Sequence, residues 1–237
     1  MKSYNCPSCG AEITFQSGES VYAVCKFCSS TIVRNDDEIQ SMGVMASLPE
    51  DTTPFRIGSE ITYKNVHYAL IGRIKVAWED GFWNEWNLMG DNGTSGWLAE
   101  AQGFYAINFE TEHQFPKEID DALKETMSNV HDFSISAHIL PSRILLNTIQ
   151  NINGQNFRIV DIKRASTVGC EGELPRQITT DRHLVSVDLI GKNGGYACIE
   201  IDENSYSVFT GEYREWDALH CQNARQFDNW KQIKGAW

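Results

Sequence analysis

Between Phe55 and Phe109 large apolar and polar residues alternate in short runs, the two-residue period of strands with one face buried. Ile61-Thr62-Tyr63 stops at a turn at Lys64-Asn65, and His67–Val76 is rich in strand-forming residues. Asp80-Gly81 is a hairpin turn signal. Trp83–Leu88 alternates large apolar with polar side chains, Asp91-Asn92-Gly93 turns again, and Ser95–Leu98 and Tyr105–Phe109 supply two further strands. Short strands between Gly and Asn turns predict a small antiparallel sheet or barrel. The period changes after Pro116. Ile119, Ala122, Leu123 and Met127 fall at helical spacing, with Glu118, Asp120 and Asp121 near the positive end of the predicted helix. From Ile144 the strand pattern returns.

The returning pattern echoes the first. Asn87–Gly93 matches Asp188–Gly194 in character at an offset of 101, and Tyr68–Ile71 parallels Phe157–Val160 at an offset of 89. The difference predicts a 12-residue insertion in the second copy, with Glu171-Gly172-Glu173-Leu174-Pro175 as an inserted loop. Hairpins with Asn-Gly turns also look alike by composition alone. The reading favoured here is a pair of related sheets in tandem.

Ahead of these strands stand Cys6-Pro7-Ser8-Cys9 and Cys25-Lys26-Phe27-Cys28, with 15 residues between the pairs. Two C-x-x-C turns at this spacing make a tetrahedral thiolate cage for Zn²⁺, and Gly10 supplies the permissive backbone that a knuckle turn wants. The apolar residues between the pairs suffice for a hairpin. The chain is therefore expected to be mainly β: a zinc ribbon at 1–34, an acidic linker at 35–54, a first β domain at 55–115, a helical connector at 116–143, and a second, related β domain at 144–237. The linker is expected to let ribbon and body unfold separately.

With 20 Lys and Arg against 32 Asp and Glu, the net charge of −12 disfavours phosphate backbones, so no nucleic-acid partner is expected. There is no apolar run near the ~18 residues of a membrane span and no apolar leader, so the expected location is the cytoplasm. Cys170, Cys198 and Cys221 read as small hydrophobes.

Gly58, Tyr68–Ile74, Trp83–Leu88, Gly96–Glu100 and Gly103 together resemble the bacterial family called domain of unknown function 4178. The second half resembles it through Gly154, Phe157-Arg158-Ile159, Gly172–Pro175 and Asp188-Leu189 before Tyr196. It departs where Val185-Ser186-Val187 replaces the W-x-E-W run. The resemblance covers roughly residues 55–220. It implies a tandem β-rich domain, fits a zinc-ribbon-like N-terminus ahead of it, and implies no established reaction.

Candidate chemistry concentrates in one place. Trp78, Trp83, Trp86 and Trp97 crowd together with Glu79, Asp80, Glu85 and Glu100. Tryptophan faces beside carboxylates can hold an organic cation, and tryptophan is equally a common core anchor. In a strand Trp83 and Glu85 face one way and Trp86 the other. Glu85 either has a raised pKa and acid–base potential or pairs with an arginine such as Arg73 across a strand. His67, His113, His131, His138, His183 and His220 form no metal pattern, and neither a nucleophile elbow nor a phosphate loop is present. The expected function is a non-enzymatic, zinc-stapled adaptor. Its β domains would bind a protein partner or a small cationic ligand through Trp78, Trp83, Glu85, Trp86 and Trp97. The alternative is an enzyme acting on a cationic, polyamine-like metabolite with Glu85 as acid or base.

Overall fold

A computed structural model describes residues 2–35, 38–45, 48, 51–132, 146–180 and 182–226. Strands β1 (Lys2–Asn5) and β2 (Glu12–Phe15) form a small hairpin sheet. All the remaining strands join one antiparallel sheet. They are β3 (Tyr22–Val24), β4 (Ser30–Asn35), β5 (Glu38–Val44), β6 (Glu60–Tyr63), β7 (Val66–Trp78), β8 (Gly81–Gly90), β9 (Ser95–Ala101) and β10 (Phe104–Glu110). After helix α1 (Lys117–Ser128) come β11 (Ile149–Ile152), β12 (Gln155–Leu174), β13 (His183–Ile190), β14 (Gly195–Ile201) and β15 (Tyr206–Arg214), then the short helix α2 (Trp216–Leu219).

The sheet closes on itself. Pairing runs from β7 through β8, β9, β10, β15, β14, β13 and β12, and β12 pairs back onto β7. Closure depends on glycine. Gly72 stands opposite Gly172, and a Cβ on Gly72 would lie 1.8 Å from the carbonyl oxygen of Glu173. Only a residue without a side chain lets the strands meet at that point.

Two expectations need correction here. The segments 55–115 and 144–237 are not separate β domains, because β7–β10 and β12–β15 build a single ring and each half alone would leave two open edges. What recurs is the order of elements: a short strand, a long strand, three more strands and a helix in each half. The string Glu171–Leu174 is also not a loop. It is the far end of β12, which exceeds β7 by seven residues and uses that extension to bond both β7 and β3.

The linker expectation changes too. Glu38–Val44 is strand β5, paired on β4. It is largely exposed, so it lacks the alternation that betrays a half-buried strand. Asp51, Thr53 and Phe55 pack on the ring. Asp51 forms buried ion pairs with Arg73 and Lys75, and Phe55 is fully buried beside Trp86. Helix α1 falls inside the predicted connector, with Ala122 and Leu123 buried. His138 and most of the connector's second half lie outside the described residues.

Side-chain alternation gives the ring two faces. The outer face carries two apolar clusters. Leu123 of α1 joins Ile159, Val187 and Ile199, and Leu219 of α2 joins Leu70, Trp86, Leu88 and Leu98. Each helix thus crosses over: α1, which follows the first half, covers the outer face of the second, and α2, which follows the second, covers that of the first. The inner face holds the candidate site. No described helix is long and apolar enough to cross a membrane.

Candidate functional site: a thiolate cage and the ring interior

The four cysteines Cys6, Cys9, Cys25 and Cys28 converge, with all four sulfurs within 4.8 Å of one another. Cys6 and Cys28 are 3.7 Å apart and Cys9 and Cys25 3.8 Å. A tetrahedral ZnS₄ centre with Zn–S of about 2.3 Å has sulfur–sulfur edges of about 3.8 Å, so the donor set fits the ion. The two knuckles are built alike. Gly10 N–H donates to the Cys6 carbonyl and Ser29 N–H to the Cys25 carbonyl, both at 2.8 Å. Gly10 and Ser29 each adopt positive φ, +77° and +58°. These four clustered cysteines could bind a metal ion.

The cage rests directly on the ring. Tyr22 and Ala23 of β3 pair with Leu174 and Glu173 of β12. The Glu173 carboxylate accepts the Gln16 N–H at 3.0 and 2.9 Å and the Ser17 N–H at 3.2 Å. Tyr22 and Met45 then pack with Ile74, Val76, Cys170 and Leu184, so the ribbon plugs one end of the ring. The expected independence of ribbon and body is corrected by this joint: main-chain pairing and shared apolar burial connect them.

The ring interior encloses a cavity of ≈ 260 Å³. Trp78, Trp83, Glu85 and Trp97 of the first half line it, and so do Lys163, Asp188, Tyr196, Cys198, Glu200 and Tyr213 of the second. Trp86 is not part of it. It is fully buried in the outer cluster, where its Nε1–H donates to Glu100 at 3.0 Å. Trp78 and Trp83 pack 5.5 Å apart, and Trp83 Nε1–H donates to Glu85 at 2.8 Å.

Arg73 is not the partner of Glu85. It stands opposite Trp86 in the β7–β8 register, on the outer face, where it bonds Asn84, Asp51 and Glu171. The neighbours of Glu85 come from the second half instead. Burial pushes Glu85 up to about 8, and the nearby charge of Glu200 pushes the same way, against the Trp83 hydrogen bond and the charges of Arg182 and Arg176. Burial would also raise Glu200. Arg176 at 2.8 Å and Arg182 at 3.2 Å, with a hydrogen bond from Glu85, hold it down instead, at about 2. The two carboxyl groups therefore keep one proton, on the Glu85 side.

At another part of the wall Asp188 accepts from Tyr196 Oη at 3.2 Å, and burial raises its pKa despite Lys163. Lys163 pairs closely with Asp161, and its ammonium lies 5.4 Å from the centre of the Trp78 ring.

The residues from β13 and β14 escaped the sequence reading, although a signal existed. In β13 Ser186 and Asp188 alternate with Val185, Val187 and Leu189, and in β14 Tyr196, Cys198 and Glu200 alternate with Ala197, Ile199 and Ile201. Polar residues at every second position of an otherwise apolar strand mark a second face, here turned inward. Cys198, read as a plain hydrophobe, borders the cavity.

The family model of the Domain of unknown function (DUF4178) matches residues 56–215, from just before β6 to just after β15. This chain belongs to the DUF4178 family. The match treats both halves as one unit, in keeping with a ring that neither half can close alone. No curated protein and no solved structure matches the chain. The four-cysteine region lies outside the DUF4178 match and is joined to it through β12.

Proposed function

We propose that this DUF4178 protein is a non-enzymatic binding protein whose ring takes a small organic cation into its interior, with a structural Zn²⁺ on Cys6, Cys9, Cys25 and Cys28. The observation that carries the cation reading is Glu85. It is a buried carboxyl group on the wall of an aromatic cavity, and among the described residues it makes no ion pair. Three tryptophans and two tyrosines share that wall, the setting in which cation–π attraction adds to charge. At ≈ 260 Å³ the cavity lies just below the roughly 300–1,000 Å³ of pockets that hold drug-sized molecules. The aromatic side chains turn into the ring, so a small ligand suits them better than the surface of a protein partner. The two halves are read as a duplicated unit, on the recurrence of their strand order. Zinc is read as structural because four thiolates fill a tetrahedral sphere and leave no position for a substrate.

Titration with small amines while following tryptophan fluorescence and heat tests the cation reading. Saturable binding that Glu85→Gln abolishes supports it, and equal binding by the variant overturns it. Metal analysis showing one zinc per chain tests the cage; iron in its place, or no metal, overturns that part.

One observation favours the enzyme alternative, namely that the Glu85 carboxyl keeps its proton to about pH 8, as a general acid would. Conversion of a bound amine that stops in Glu85→Gln would replace binding with catalysis.

A further inference from the structure

Building on the cation reading of the ring interior, we propose that the site is built for a monovalent organic ammonium, whose head group displaces the proton of Glu85 and leaves one proton to solvent for each ligand bound.

The charge inventory of the cavity supports a single positive charge. Lys163 of β12 serves two carboxylates, Asp161 in close contact and Asp188 of β13 at 4.0 Å. Glu200 of β14 is held by Arg176 and Arg182, both from the β12–β13 connection, and Arg182 also reaches Asp202 at 3.1 Å. Glu100 lies on the outer parity of β9, and one of its oxygens takes Thr53, Asn84 and Trp86. Glu85 has a neutral donor, Trp83, and an acidic neighbour, Glu200; Arg176 and Arg182 also act on it by charge, but their ion pairs go to Glu200 and Asp202. The strands flanking β8 place only apolar groups opposite it, Ile74 on β7 and Ala99 on β9. Tyr196 and Cys198 of β14 and Tyr213 of β15 border the same space, and burial keeps all three neutral.

An ionised Glu85 would put two carboxylates face to face in a low-dielectric interior, so without a ligand it keeps a proton. An ammonium head removes that repulsion and the proton leaves: the neutral carboxyl and RNH₃⁺ become a carboxylate–ammonium pair and H⁺. A second positive charge on the ligand would find its carboxylates already engaged by Lys163 or the two arginines. The body of the ligand then lies among Trp83, Trp97 and Tyr213, with Phe104, 41% exposed, and Trp78 at the rim.

Calorimetry on the full chain at pH 7, in two buffers of different ionisation enthalpy, counts the protons. The probes are phenethylamine, its neutral analogue 2-phenylethanol, the dication putrescine and the trication spermidine. The expected result is release of about one proton with phenethylamine, and affinity that rises about tenfold per pH unit to about pH 8 and then levels. Phenethylamine should bind at least about tenfold tighter than 2-phenylethanol or putrescine. Glu85→Gln, shown to be folded by circular dichroism, should lose both proton release and the preference for amine over alcohol, and Glu85→Asp should recover the release. Binding without proton release, or tighter binding of putrescine or spermidine, overturns this inference and leaves the cation reading standing. Binding of the alcohol alone, or of no probe, overturns both.

Discussion

Glu173 accepts the backbone N–H of Gln16 through both carboxylate oxygens, at 3.0 and 2.9 Å, across 157 residues of chain. That contact fixes the β2–β3 turn of the ribbon to the last turn of pairing in β12, where Tyr22 enters the cluster at the end of the ring. Glu173→Ala should take the carboxylate acceptor from the Gln16 and Ser17 N–H groups at a part-buried joint and cost about 1.5–3 kcal/mol, the range of hydrogen bonds to a charged group. Denaturant melts followed by circular dichroism check this, and a change within error would show the joint to be unimportant.

Metal removal should reach the ring for the same reason. Loss of the cage frees β3 and β4, and with them the main-chain bonds to β12 and the packing of Tyr22 and Met45. A chelator, or Cys9→Ser, should therefore lower the main melting transition itself. A separate early transition that leaves the main one in place would show that ribbon and ring are uncoupled. Metal binding can supply on the order of 10 kcal/mol to small cysteine sites, so the effect should be plain.

The four tryptophans should divide by face. Trp86→Ala removes a fully buried ring from the outer cluster and takes a donor from Glu100, so about 3–5 kcal/mol of stability should be lost. Trp83 is half-buried on the cavity wall, and Trp83→Phe should cost far less stability while weakening amine binding. Parallel melts and titrations of the two variants separate these roles. Equal destabilisation by both would argue against the division.

Glu85 should make stability fall as pH rises. Its folded pKa of about 8 stands above the ordinary 4.5, so the folded state binds more protons than the unfolded chain between those values. Stability is then greatest below about pH 4.5 for this group and declines through pH 8. Glu200 acts oppositely and lower: held at about 2, it adds stability as pH rises toward 4.5. Melting temperatures from pH 5 to 8 should decline in the parent chain and decline less steeply in Glu85→Gln, where Asp188 and Glu100, also raised by burial, remain. Parallel slopes in the two proteins would contradict the buried, protonated Glu85.

The ring seam should tolerate no side chain at Gly72. Gly72→Ala drives a methyl group into the Glu173 carbonyl, a backbone atom that cannot step aside. Its cost should approach the upper end of about 1–3 kcal/mol for overpacking.

Local chemistry was enough to reveal the parts of this protein that depend on neighbours in the chain. The C-x-x-C pairs form turns wherever they occur, so the thiolate cage was legible from spacing. The alternation of Trp83, Glu85 and Trp86 follows from strand geometry alone, so their division between two faces was legible as well. Pro116 and the spacing of Ile119, Ala122, Leu123 and Met127 announced α1. Strand period, however, says that a side chain has a face and not what that face meets. Whether the two halves closed separate sheets or one ring was decided by β7 meeting β12 and β10 meeting β15, contacts between residues about 90 to 110 positions apart. The same closure placed Glu85 against Glu200 and the arginines and turned Arg73 away to Asp51. It also made Glu171–Leu174 a strand rather than a loop, because an extended segment with few local cues is held by the partners on either side. A buried carboxyl group owes its proton to its distant neighbours, and only the folded chain brings those neighbours to it.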